Sequence, residues 1–124
     1  MIVYSSRTGN VQKIVEKLGF PNQTVEQPVM EPFVIFTYTD GNGHVPSEVI
    51  DFMERHHHLC KGVLVSGNRN WGSRFAFAGD RLAMAYHLPL GVKFDLLGAD
   101  SDYEKAKIFY GRVMQNEKLF STEQ

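Results

Sequence analysis

Three short segments of this 124-residue chain combine hydroxyls, glycines and aromatics at spacings that suit a phosphorylated, planar ligand. The first is Ser5-Ser6-Arg7-Thr8-Gly9-Asn10, which lies between a β-branched run and a helical pattern. Hydroxyls and free backbone N–H groups there can surround a phosphate, the dipole of the following helix favours its charge, and Gly9 permits close backbone approach. A capped strand-to-helix turn would use the same residues. No Gly-Lys-Ser/Thr sequence follows, so the lysine and the magnesium-binding hydroxyl of nucleotide hydrolases are absent.

The second segment, Thr37-Tyr38-Thr39 followed by Asp40-Gly41-Asn42-Gly43-His44, sets two glycines around Asn42. Peptide planes can turn either way there, which suits a backbone group that must meet a flat heterocycle, and equally suits a flexible turn. Gly41 and Gly43 begin like a dinucleotide fingerprint, but Pro46 stands where the third glycine belongs. The third segment, Gly67-Asn68-Arg69-Asn70-Trp71-Gly72-Ser73, holds the only tryptophan among polar residues and glycines. Trp71 is either a stacking platform or a cap on the sheet edge.

Other reactive residue types lack a partner at a useful spacing. Consecutive helical residues point about 100° apart, so His56, His57 and His58 cannot chelate one ion together; near a helix C-terminus they suit the dipole. Cys60 has no phosphate loop around it and reads as a small buried residue. Asp40, Asp80, Asp95 and Asp100 fall on separate segments, and none is assigned an acid or base role.

Alternating strand and helix signals position these loops. Ile2 to Ser5 reads as a buried strand, and Val11, Ile14, Val15 and Leu18 as one helical face ended by Gly19 and Pro21. An edge strand is expected over Thr24 to Gln27, and firmer strands over Phe33 to Thr39, Lys61 to Ser66 and Gly91 to Leu97. Pro46 opens a helix with Val49, Ile50 and Met53 on one face; Phe75, Ala78, Leu82 and Ala85 mark another. Ser101 and Glu104 form a capping-box pattern before a last helix with Tyr103, Ala106, Phe109, Tyr110, Val113 and Met114 as its apolar stripe. Continuous apolar strands between amphipathic helices predict one α/β domain over residues 1–124, a doubly wound parallel sheet whose ligands sit beyond the carboxyl ends of the strands.

Composition narrows the partners. Thirteen Lys and Arg against fourteen Asp and Glu, with no long run of like charge, argue against nucleic-acid binding. One cysteine excludes an internal disulfide, and no apolar stretch approaches the roughly 20 residues of a membrane span. With no secretion signal at Met1-Ile2-Val3-Tyr4, a cytoplasmic protein is expected.

Ser6-Arg7-Thr8-Gly9-Asn10 resembles the phosphate loop of flavodoxins. Together with Thr37-Tyr38-Thr39, Gly41, Gly43-His44-Val45-Pro46, Gly67-Asn68-Arg69-Asn70-Trp71-Gly72, Lys93-Phe94 and Gly98, the pattern is similar over nearly the whole chain to the NrdI family. That family is the flavodoxin-like accessory protein of class Ib ribonucleotide reductase. Val11 agrees with the NrdI pattern where general flavodoxins carry a hydroxyl; Ala99 departs from it where the family has threonine. The resemblance implies a flavodoxin-like five-stranded sheet of order 2-1-3-4-5 that binds FMN through Ser5, Ser6, Arg7, Thr8, Gly9, Asn10, Val11, Thr37, Tyr38, Thr39, Gly41, Asn42, Gly43, Gly67, Asn68, Trp71 and Gly72. It further implies that the reduced flavin, supplied with electrons by a reductase or small redox protein, reacts with dioxygen. The product, superoxide, would serve the dimanganese site of the reductase small subunit, where a tyrosyl radical is generated. A nearly neutral protein repels an anionic reduced flavin less than an acidic one does. Two other readings stay open: a general flavodoxin carrying electrons between enzymes, and a flavin-free interaction domain on the same fold.

Overall fold

The computed structural model describes residues 1–41 and 43–123, apart from the side chains of Trp71, Ser73 and 116–123. The elements run β1 (Ile2–Tyr4), α1 (Asn10–Leu18), β2 (Asn22–Thr24), β3 (Phe33–Tyr38), α2 (Ser47–His56), β4 (Cys60–Gly67), α3 (Phe77–Tyr86), β5 (Leu90–Asp95) and α4 (Asp100–Glu123). All neighbouring strands pair parallel, as the pattern of apolar runs predicts, and they do so in the order β2-β1-β3-β4-β5 that the resemblance implies.

Alternation along β3 shows how the sheet is buried on both faces. Val34 and Phe36 pack with Ile2, Leu64 and Phe94 under α1 and α4, through Val11, Ile14, Val15, Leu18, Tyr103 and Ala106. Phe33 and Ile35 face the other way, with Val3 and Val63, against Val49, Phe52 and Met53 of α2 and Leu82 of α3. Strands covered on both sides need no polar face, which is why their sequences read as unbroken apolar runs. Gly62 and Gly91 leave room for Phe109 of α4, whose ring lies 2.6 and 2.7 Å from where their Cβ atoms would stand.

Four local expectations are corrected. The edge strand lies at Asn22–Thr24, not Thr24 to Gln27: Gly19 closes α1 at once, and the Pro21 carbonyl accepts the Ile2 N–H at 2.8 Å, so pairing starts early. Val25 to Gln27 instead turn, with Thr24 Oγ1 accepting the Glu26 N–H and the Gln23 amide donating to the Gln27 carbonyl. In α2 the buried stripe is Val49, Phe52 and Met53, and Ile50 is exposed. The third helix begins at Phe77, and Ala85 is exposed, because Gly79 brings α3 so close to β4 that a Cβ there would meet Val65 at 2.6 Å. The last helix starts ahead of Ser101, and Asp102, in place of Glu104, reaches back to accept the Ala99 N–H at 2.8 Å. Among the described residues, no helix is long and apolar enough to cross a membrane.

Candidate functional site

A cleft of about 290 Å³ opens where β1, β3, β4 and β5 end. The loop after β1 forms one wall with Ser6, Arg7, Thr8, Asn10 and Val11; Tyr38 and Thr39 come from the end of β3; Ser66, Gly67 and Asn68 come from the end of β4. Arg74, Ala76 and Leu96 complete the lining.

The first loop gathers backbone N–H donors at the start of α1. Gly9 holds φ +95 as the N-cap of α1, a left-handed conformation that glycine adopts without strain. Ser6 Oγ accepts the N–H groups of Gly9 and Gln12 at 3.2 and 3.3 Å, so one hydroxyl oxygen already sits where converging donors await an acceptor. The first turn of α1 carries no acidic residue, which leaves the positive end of its dipole unopposed.

Ser5 is turned elsewhere. It is buried, does not line the cleft, and donates from Oγ to Glu48 Oε2 at 2.7 Å. Tyr38 donates to the same oxygen at 2.8 Å. Burial pushes the Glu48 carboxyl up, but the hydrogen bonds from Ser5, its own backbone N–H and Tyr38 outweigh that and hold it below the usual carboxylate value. Burial first, and then the hydrogen bond and charge of Glu48, push the Tyr38 phenol up to about 12. Arg7 bridges the same region: its guanidinium pairs with Asp40 at 2.6 Å and lies 5.0 Å over the Tyr38 ring.

The glycine loop is closed at its base by two Asp40–His44 backbone hydrogen bonds of 2.8 Å, with Gly41 at φ +50 and Gly43 at φ +98. Gly41, Gly43 and Gly72 are not among the residues that line the cleft, and Thr37 is fully buried with its hydroxyl on the Tyr38 carbonyl. Asn42 and the Trp71 side chain lie outside the described residues.

The loop after β4 is tied down at both ends. Asn68 Oδ1 accepts the Asn70 N–H at 2.9 Å, and Asp95 accepts the Arg69 N–H at 3.0 Å while pairing with its guanidinium at 3.5 Å. Gly67 passes so close to Ala76 that a Cβ would stand 2.7 Å from the Ala76 nitrogen. Thr39 Oγ1 donates to the Ser66 carbonyl and Ser66 Oγ to the Leu96 carbonyl, both at 3.1 Å, so the ends of β3, β4 and β5 are laced together.

Ser66, Arg74, Ala76 and Leu96 were not singled out from the sequence. A hydroxyl ending an apolar run was a usable signal for Ser66; Leu96 resembles any strand-end leucine. Away from the cleft, Cys60 is buried, its thiol pushed up to about 11 by burial and donating to the Gly62 carbonyl. His56 packs on Phe52 and His57 stacks on Tyr86, so the adjacent histidines diverge.

A family model described as NrdI flavodoxin-like matches residues 2–107. Protein NrdI of Macrococcus caseolyticus is 42% identical over 111 residues, covering 87% of this chain and 86% of that protein. Protein NrdI of Bacillus licheniformis is 43% identical over 106 residues, covering 83% and 81%. Among solved structures, a short-chain flavodoxin associated with a bacterial microcompartment superposes with a TM-score of 0.75 at 21% identity, covering 93% of this chain and 95% of that one. A Fusobacterium nucleatum flavodoxin bound to flavin mononucleotide superposes with a TM-score of 0.57 at 17% identity, covering 72% and 66%. These structural likenesses establish the fold, and the family match with the two relatives establishes the lineage: the chain belongs to the NrdI flavodoxin-like family.

Proposed function

We propose that this chain binds FMN in the cleft and serves class Ib ribonucleotide reductase as a cytoplasmic, single-domain redox protein. The observation that carries the reading is the first loop, where Ser6 Oγ already occupies an acceptor position before two N–H groups at an α1 N-terminus free of acidic residues. A phosphate suits that position better than a neutral hydroxyl, because charge-assisted hydrogen bonds are the stronger ones. Flavodoxin-fold relatives include one bound to flavin mononucleotide.

Bound FMN would take up electrons from a reductase or small redox protein and, once reduced, yield superoxide from dioxygen for the dimanganese site of the reductase small subunit. The chain supplies position and access. Ser6, Thr8, Asn10 and the backbone at Gly9 and Val11 hold the phosphate. Arg7, paired with Asp40, ties this loop to the glycine loop across the mouth of the cleft. Tyr38, Thr39, Gly67 and Asn68 wall the part of the cleft that receives the ring system. Ser5 acts through Glu48, which fixes the start of the phosphate loop against the end of β3.

Two experiments test this reading. The purified protein should be yellow and release FMN on denaturation; a colourless protein that takes up no flavin overturns it. Reduced holoprotein mixed with oxygen and manganese-loaded small subunit should then produce a tyrosyl radical by electron paramagnetic resonance. Flavin binding without radical formation would leave an electron carrier instead.

A further inference from the structure

Leu96 occupies a backbone position that a leucine has no internal reason to fill. It follows β5 as the first central residue of a turn closed by the Gly98 N–H on the Asp95 carbonyl at 2.9 Å, and its φ is +56. Leu97 has no such positive φ, and turns that need it only at the first central residue favour glycine there. A leucine in this region is strained, and strain of this kind persists only where the surroundings over-determine it.

The surroundings do so. The Leu96 N–H donates to the Gly67 carbonyl at 2.8 Å, and its carbonyl accepts the hydroxyl of Ser66, which is only 4% exposed. Thr39 braces Ser66 in turn. Held this way, Leu96 lines the cleft and remains 47% exposed. The residue is therefore unfavourable twice over: these hydrogen bonds offset the strain of its backbone, and the folded chain alone leaves its exposure uncompensated.

We propose that Leu96 is a ligand-contacting residue that supplies an apolar wall to the flat heterocycle of the cofactor. The proposal rests on the flavin reading above. Its place in the sheet supports the assignment: β5 lies three strands from β1, about 14 Å at the usual strand spacing, so Leu96 stands at the end of the cleft away from the phosphate loop. A ligand anchored by its phosphate at Ser6 and Thr8 brings its ring system, not its phosphate, to Leu96. Covering a half-exposed leucine and the facing ring recovers the apolar hydration that the free protein leaves open.

The test compares flavin-free wild type, Leu96→Gly and Leu96→Ala by thermal melting and by titration with FMN and with riboflavin, which lacks the phosphate. Leu96→Gly should melt at or above the wild-type temperature, since glycine relieves the positive φ, yet bind both flavins about five- to twentyfold more weakly. Leu96→Ala should lose similar affinity without the gain in melting temperature. Opposite signs in stability and binding would not arise from a residue that merely supports the fold. Unchanged affinity in both variants, or a loss confined to FMN, overturns the role of Leu96 while leaving the flavin reading intact. Failure of the wild type to bind either flavin overturns the flavin reading and this proposal with it.

Discussion

Tyr38 and Glu48 are joined by a hydrogen bond of 2.8 Å that links the end of β3 to the first turn of α2. The accepting oxygen also receives Ser5, so one carboxylate oxygen fixes two walls of the site without lining the cleft itself. Burial together with that arrangement holds the Tyr38 phenol neutral, and the hydrogen bonds keep Glu48 ionised.

Ionisation of Tyr38 should therefore be late. Its pKa of about 12 in the fold lies above the ordinary phenol value, so its contribution to stability is complete below pH ~10 and is lost as pH rises through about 12. Glu48 has the opposite sign: its contribution is present above the ordinary carboxylate range and is lost as pH falls through its depressed value. Difference ultraviolet titration of wild type against Tyr38→Phe reads the phenol directly. In Glu48→Ala, that phenol should titrate at lower pH while burial still holds it above the ordinary value, and an unchanged titration would remove Glu48 as a contributor.

Thr8→Ala should weaken FMN binding by ~1 to 3 kcal/mol, the usual cost of removing one donor from a charged acceptor. Riboflavin, with no phosphate to lose a contact, should bind the variant as it binds the wild type. Fluorescence titration with both ligands checks this, and equal losses for the two would move Thr8 away from the phosphate.

The glycine loop should influence reduction more than binding. Oxidised flavin N5 can only accept a hydrogen bond and the reduced N5–H donates one, so on reduction a neighbouring backbone must exchange an N–H for a C=O. Gly41 and Gly43 hold positive φ, which a β-branched residue resists. Gly41→Val, whose Cβ would meet only the His44 ring at 3.7 Å, should shift the reduction equilibrium by ~1 to 2 kcal/mol with a smaller change in FMN affinity. Gly43→Val should add a loss of stability, because its Cβ would lie 3.1 Å from Phe77. Redox titration with parallel urea melts separates the two effects; midpoint potentials identical to wild type would make this loop an ordinary turn.

Gly67→Ala should destabilise the fold by ~1 to 3 kcal/mol, because its methyl would collide with the backbone of Ala76 at 2.7 to 2.9 Å and a backbone cannot rotate away. Chemical denaturation measures it. A wild-type midpoint would mean that the start of α3 moves freely relative to β4.

Legibility from the residues was uneven for identifiable reasons. Apolar runs such as Phe33–Tyr38 and Cys60–Gly67 declare themselves because a strand buried on both faces has no polar positions to confuse the pattern. Edges and ends were harder. Asn22–Thr24 has only three residues and no apolar stripe, and it is a strand because β1 offers it a partner. The expected face of α3 held at Ala78 and Leu82, but Gly79 joined it and Ala85 left it through a contact with Val65 that lies far away in the chain.

What composition and order determined unaided was the alternation of elements, the parallel sheet and the three loops, since periodicity and glycine placement are local properties of a chain. The tertiary structure decided the partners. Ser5 belongs by sequence to the phosphate loop and by structure to Glu48, 43 residues away. Leu96 became a cleft residue only because Ser66, 30 residues earlier, holds its carbonyl, and Gly67 its N–H, in a conformation that leucine does not choose. Hydrogen bonds between strand ends depend on which strands are neighbours, and the crossovers set that order, which no local window of residues contains.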